Sequence, residues 1–439
     1  MGSTQTLQAS RGPSTTAPWD TAPRTLSETS ASSPWTRPSS ARWMLYCHDA
    51  LGLGHVRRSL AIAGSVLAAE SEIAALLVTC SPVINSLPIP PGLDYVKLPS
   101  ARKSDDRRYT PRTLRIEEDR YWDMRKRLLI GAARGFEPDL LLVDKSPAGL
   151  NEELVELLPW LHDVLGARVV LGWRDILDSP DRIGREWSDS RMLELVERFY
   201  DEIWVYGDPK VFDLRASCGL PLSLARRVRF VGYLAPDVDG ASRERARSWI
   251  APDGRPAAVV TAGGGEEGES LLTCYLEAAR RRLLPRDLNS VVVTGPFSSL
   301  EAGDGNGNQV PEGVTLVSFL PGLEALVAAA DVVVGRAGYN TVCEVLSAGT
   351  PAVLVPRVLH REEQRIRARR MSELGLVDSV EPDVLTPEAL AAAVRRALRR
   401  GRRHAGGLRM NGLQQVPRRV ASLLGDKVRH RGPHHGAPT

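Results

Sequence analysis

The chain has 439 residues, 43% hydrophobic and 25% charged, an ordinary globular composition with room for two or three domains that excludes a fibrous or wholly disordered chain. Its 57 basic and 53 acidic residues leave a net charge of +4 with no concentrated basic stripe, so nucleic acid is not an expected partner. Five widely spaced cysteines without a Cys-x-x-Cys pair argue against a disulfide framework or zinc site and fit the cytoplasm, and no apolar run approaches the roughly 20 residues of a spanning helix.

From the N-terminus, residues 1–41 are dominated by Ser, Thr, Pro, Gly and Ala without apolar periodicity, which predicts a disordered leader. Short apolar runs then alternate with amphipathic stretches, the pattern of repeated β-α units. Runs at 43–47, 73–79, 139–143, 168–171, 202–205 and 228–231 read as strands of a first parallel sheet, with helices over 59–69 and 113–133 between them. A second series at 257–261, 290–294, 314–317, 331–335 and 352–355 follows a Pro- and Gly-punctuated stretch. The expectation is an α/β fold of two Rossmann-like domains, over 42–235 and 256–425, joined by a hinge at 236–255 and followed by a tail.

The first strand runs into His48-Asp49-Ala50-Leu51-Gly52-Leu53-Gly54-His55. Gly52 and Gly54 permit a tight turn and close backbone approach at the carboxyl end of that strand, where open α/β sheets place their sites. Arg57 stands where a dinucleotide fingerprint needs its third glycine, and no acidic residue ends the next strand, which disfavours a nicotinamide enzyme. His55, at the helix entrance, suits the removal of a proton from a hydroxyl. Asp144 and the pair Arg174-Asp175 end later strands and are candidates for the same cleft, Asp144 to orient or replace the base; capping and core ion pairing are the plainer alternatives.

In the second half, Gly263, Gly264 and Gly265 can expose successive amides before a helix from about residue 269, so this loop can hold a diphosphate without a metal; a flexible turn is the plainer alternative. Asp331-Val332-Val333-Val334-Gly335-Arg336-Ala337-Gly338 is a buried strand leading into a glycine-arginine turn and a helix. Asn340 or Thr341 can cap that helix, Arg336 lies beside its N-terminus, and Glu344 one turn on can accept two ribose hydroxyls. Glu363 and Gln364 open a later helix and suit sugar hydroxyls. Asp237-Val238-Asp239 spells an Asp-x-Asp metal motif but lies in the linker, where chance is favoured. Tyr121-Trp122 in the basic segment 102–127 could meet an acceptor or an anionic membrane, with a core-facing helix favoured, and the arginine run 395–403 reads as a solvated face.

Together these residues resemble the C-terminal domain of family 28 glycosyltransferases, the group that includes a bacterial N-acetylglucosaminyltransferase of peptidoglycan synthesis. The likeness is strongest over 259–380 and weaker at Gly52-Leu53-Gly54-His55. It implies the GT-B architecture, with the acceptor on the N-terminal domain and a nucleotide sugar on the C-terminal one. Glu344 then matches the ribose-binding acid, and Glu363 and Gln364 the sugar contacts. Gly263 to Gly265, with Arg336, Ala337, Gly338, Asn340 and Thr341, match the diphosphate region. Leu320 matches the position that binds the base through its main chain, and His55 the histidine near the transfer centre. The expectation is an inverting glycosyltransferase without metal or cofactor that moves a sugar from a UDP- or dTDP-linked donor to a hydroxyl acceptor, with peripheral membrane contact left open. A nucleotide-sugar epimerase or hydrolase of this fold, and a non-catalytic nucleotide-sugar-binding subunit, are the alternatives.

Overall fold

The computed structural model describes residues 41–48, 53–103, 109–187, 190–263, 268–295, 298, 310–358 and 361–429. The leader, most of the tail, Gly52, Gly264 and Gly265 lie outside the described residues.

The N-terminal half builds strands β1 (Ala41–Cys47), β2 (Ile73–Thr79) and β3 (Leu93–Lys97), a small antiparallel pair β4 (Ala101–Lys103) and β5 (Tyr109–Pro111), and then β6 (Leu140–Asp144), β7 (Arg168–Arg174), β8 (Glu202–Tyr206) and β9 (Val228–Phe230). Among the described residues they form a parallel sheet of order β3-β2-β1-β6-β7-β8-β9. The C-terminal half adds β10 (Ala257–Thr261), β11 (Asn289–Val293), β12 (Val314–Val317), β13 (Val332–Gly335), β14 (Ala352–Leu354) and β15 (Asp378–Ser379), in the order β12-β11-β10-β13-β14-β15. Both orders reverse direction beside their first strand, between β1 and β6 and between β10 and β13. A crevice opens there at the strands' carboxyl ends.

The central strands are largely apolar because helices cover both faces. Along β1, Trp43, Leu45 and Cys47 enter one core while Met44 and Tyr46 enter another, as the two-residue period requires. The first of these cores is continuous with one face of the second sheet, through Val259, Val333 and Leu354. The second core and a third, around Val260, Val292 and Val334, lie on the opposite faces of the two sheets. None of the five cysteines forms a disulfide, and among the described residues no helix is long and apolar enough to cross a membrane.

Three differences from expectation have physical causes. The strands β3 and β15 were not anticipated: β3, Leu-Asp-Tyr-Val-Lys, is a half-exposed edge, and β15 has only two residues. The first helix runs Gly54–Ala69, beginning five residues early, so that His55, Arg57 and Arg58 lie in its first turns. The linker, as its short Arg- and Glu-rich helical stretch implies, holds helix Gly240–Ile250, and the Asp239 carboxylate caps it by accepting from the Ser242 amide at 2.8 Å, which accounts for that aspartate as a cap. The last helix, Gly412–Arg429, expected at the end of the second domain, crosses back to pack on Gly54–Ala69 and β1. Its buried stripe Val416, Val420 and Leu424 follows the helical repeat, and the Gly412 amide donates to Tyr233 O at 2.9 Å.

Candidate functional site

Strands β1 and β6 pair up to Tyr46 and Val143, which brings His48 and Asp144 together just beyond, at their carboxyl ends. The first turn of helix Gly54–Ala69 holds the His55 ring 5.2 Å from that of His48, and the helical spacing puts Arg58 on the same face as His55. His55 Nδ1 lies 2.5 Å from Asp144 Oδ2, and Arg58 Nη2 donates to Asp144 Oδ1 and Oδ2 at 2.7 and 2.6 Å. Burial raises the Asp144 pKa, but Arg58 and then His55 outweigh it and hold the carboxyl well below the usual range. Asp144 is therefore ionised, and the short contact assigns the shared proton to Nδ1, leaving Nε2 as the basic nitrogen. Burial pushes the His55 pKa down to about 4 against the pull of Asp144. The imidazole is neutral at pH 7. Both oxygens of Asp144 are engaged, so the carboxylate fixes the orientation of the His55 ring.

His55 opens onto a cleft of about 720 Å³ between the two domains. Gly54 and Arg174 line it from the N-terminal side, and Gly263, Leu320, Arg336 and Gly338 from the C-terminal side. Thr261 pairs with Gly335 across β10 and β13, so the Gly263 loop and the Arg336 turn leave adjacent strands side by side. Gly263 has φ +77°, a conformation that favours glycine. Arg336 Nη2 donates to Ser270 Oγ at 3.0 Å, tying its turn to helix Glu269–Arg280. A Cβ on Gly268 would fall 2.0 Å from the Ala262 Cβ, so that loop closes only on glycine.

Helix Tyr339–Ala348 starts at Gly338 with no side-chain cap. Asn340 and Thr341, expected as caps, instead line the cleft, and Asn340 Nδ2 donates across it to Gly54 O at 3.3 Å. Uncapped first-turn amides are an anion site. Glu344, a turn further in and also on the cleft, gives one oxygen, Oε1, to Arg57 Nη2 at 2.8 Å; Oε2 is buried without a hydrogen-bond partner among the described residues. Glu363, at the start of helix Glu363–Glu373, repeats the pattern: Oε1 takes Arg357 Nη2 at 3.2 Å with Arg174 at 4.0 Å, and Oε2 is buried and unpartnered. Burial raises the Glu363 pKa, but Arg174 and Arg357 more than offset it and keep the acid ionised. Gln364 lines the cleft, its Oε1 accepting from the Arg357 amide at 3.1 Å.

Besides Asp144, which backs His55, three expected site residues, Glu363, Asp175 and Ala337, do not line the cleft. Asp175, expected beside the acceptor, is 1% exposed and bound to Arg367 of the other domain, which reaches its oxygens at 2.7 to 3.1 Å. Tyr233 donates to it as well, at 3.1 Å. Ala337 is buried and offers only its carbonyl, which accepts from Arg367 Nη1 at 2.9 Å. The aromatic candidates also go to the core: Tyr121 and Trp122 are buried against Arg125, and Trp173 meets Trp187 edge to face.

Sequence reasoning passed over Arg57, Arg58, Arg367 and Lys145. Lys145 follows Asp144 with φ +71°, and burial, with Arg174 and Arg361 nearby, pushes its pKa down to about 7. The run Leu87-Pro88-Ile89-Pro90-Pro91 was also missed; it forms an apolar wall of the cleft. Its signal was available, since prolines at that density cannot enter a helix or an inner strand.

Two parallel-sheet domains closing on one cleft define the GT-B architecture of glycosyltransferases. The glycotransferase of kitacinnamycin superposes with a TM-score of 0.56 at 17% identity, covering 89% of this chain and 100% of that one. Residues 258–416 match the glycosyltransferase family 28 C-terminal domain, so the second half of the chain carries that domain. The UDP-N-acetylglucosamine--N-acetylmuramyl-(pentapeptide) pyrophosphoryl-undecaprenol N-acetylglucosamine transferase of Paenarthrobacter aurescens (strain TC1) is 35% identical over 136 residues, 31% of this chain and 36% of the relative. The demethyllactenocin mycarosyltransferase of Streptomyces fradiae is 30% identical over 248 residues, 54% of this chain and 51% of the relative. The chain thus spans about a third to a half of the length of these curated relatives.

Proposed function

We propose that the protein is an inverting, metal-independent glycosyltransferase that moves a sugar from a UDP- or dTDP-linked donor to an acceptor hydroxyl. The observation that carries the reading is convergence on one cleft: a neutral histidine oriented by an ionised carboxylate faces a glycine loop, an arginine turn and an uncapped helix end from the other domain. In this reading the acceptor oxygen bonds to the anomeric carbon as the bond from that carbon to the diphosphate oxygen breaks. His55 Nε2 takes the acceptor's proton, and Asp144 stabilises the imidazolium that forms. The diphosphate charge that develops is met by the Gly263 loop, the first-turn amides at Gly338 to Thr341 and Arg336. The orphaned Oε2 of Glu344, on the cleft, is the acceptor for ribose hydroxyls, and Gln364, which lines the cleft beside the buried Glu363, meets the sugar hydroxyls.

The name of the Paenarthrobacter relative specifies a UDP-sugar donor, which supports uridine here. We place the protein in the cytoplasm with peripheral membrane contact, supported by exposed Leu114 and Ile116 beside exposed Arg115 and Arg120. Co-sedimentation with anionic but not neutral vesicles is the expected result; equal recovery with both contradicts that placement.

The test of function is product analysis with the purified chain, UDP-sugars and candidate hydroxyl acceptors. Transfer is expected only with acceptor present. Conversion of the sugar nucleotide without acceptor makes the protein a hydrolase or epimerase, and binding without turnover makes it a nucleotide-binding subunit.

A further inference from the structure

Arg57 sits in the first turns of helix Gly54–Ala69, on the N-terminal domain, yet its strongest partner is Glu344 on the C-terminal domain. The guanidinium holds Oε1 at 2.8 Å and also lies 3.6 Å from Glu324 Oε2. Asn340 donating to Gly54 O is a second link across the cleft at the same place. The Glu344 side chain is 4% exposed, and its other oxygen is buried on the cleft with no partner. An acceptor oxygen left in that condition awaits a donor from a ligand. With Oε1 fixed by Arg57, only Oε2 is available to that ligand.

Resting on the nucleotide reading of the cleft, we propose that Arg57 is a positioning residue of the nucleotide site. It holds Glu344 as an oriented carboxylate whose Oε2 accepts the ribose hydroxyls of a nucleoside diphosphate, so the N-terminal domain completes a ribose site carried by the other domain. Ribose recognition and domain closure are then linked, each favouring the other. A glycine at position 57, as in a dinucleotide fingerprint, lacks the side chain for this contact.

The charge argument agrees. Burial raises the Glu344 pKa, and Arg57 is its main counterweight. The other groups facing it are Glu324, which raises it further, and the neighbouring Cys343 thiol, which burial keeps protonated. Without Arg57 the carboxyl protonates at higher pH and loses acceptor strength.

The test is calorimetric titration of UDP into the full chain at pH 6 to 8.5, with wild type, Arg57→Met, Arg57→Lys, Glu344→Gln and the double variant Arg57→Met/Glu344→Gln. Arg57→Met is expected to weaken UDP at least about tenfold at low pH, with the loss shrinking as pH rises and Glu344 regains its charge. Arg57→Lys keeps most of the affinity and a flat profile. In the Glu344→Gln background, Arg57→Met costs nothing more, a coupling that a merely structural role does not produce. Equal UDP affinity in wild type and Arg57→Met at every pH, or tighter binding by Arg57→Met, overturns the assignment. Should Arg57→Met not fold, Arg57→Gln takes its place, and UDP affinity equal to wild type at every pH overturns the assignment in the same way. If wild type binds no UDP at all, the nucleotide reading fails and the proposal fails with it.

Discussion

In the proposed reaction His55 is a base tuned by what surrounds it. Its neutrality at pH 7 follows from burial, and its orientation from Asp144, which Arg58 keeps ionised. A base must be unprotonated to act, so activity falls only as pH drops through the folded pKa. The acid limb of kcat/KM is expected near pH 4, well below the 6.5 of a free imidazole; a limb near 6.5 contradicts the burial argument. His55→Ala should lower kcat by about 10²- to 10⁴-fold with UDP affinity unchanged, and transfer at the wild-type rate removes His55 from the role. His55, Arg336 and Glu344 were legible in the sequence because glycine-rich turns after apolar strands announce a ligand. Arg57 and Arg58 were not, because arginines inside a helix read as a solvated face. Placing that helix start at residue 59 hid the spacing of three that joins Arg58 to His55.

At the scale of elements, arginine does much of the joining. Arg402 donates to the carbonyls of Ala328, Ala330 and Ala348, closing the ends of helices Leu323–Ala329 and Tyr339–Ala348, so part of the run read as solvent-facing serves the fold. Arg367, on helix Glu363–Glu373, pins the carboxyl end of β7 to the turn after β13 through Asp175, Ile176 and Ala337. Arg367 and Asp175 are fully buried, so removing one partner strands a charge. Arg367→Met should destabilise the chain by about 3–5 kcal/mol in chemical unfolding, whereas a loss under about 1 kcal/mol shows that water or another group satisfies Asp175. This bridge was invisible beforehand because its partners lie 192 positions apart and neither carries a local pattern. Central strands and the edge strands β9 and β12 were readable to within a few residues from their apolar runs, whereas the edges β3 and β15 were missed, the first because polar residues interrupt it and the second because it has only two residues.

For the whole molecule, the sequence foretold two sheets and a cleft but not how tightly the halves engage. Arg57 to Glu344, Arg367 to Asp175 and the returning helix Gly412–Arg429 all cross between them, and one apolar core runs through both. Opening about the linker must break the first of these contacts, so a ligand held by both domains favours the closed form. The central claim is that this cleft grips a nucleoside diphosphate through main-chain amides, Arg336 and Glu344, without a metal. Thermal unfolding with UDP in excess EDTA tests it most directly. At about 100 times Kd a ligand specific to the native state adds about 2.7 kcal/mol, so wild type should melt well above its unliganded midpoint and Arg336→Ala much less so. An unchanged wild-type midpoint in saturating UDP, or a rise that vanishes with EDTA, contradicts the account.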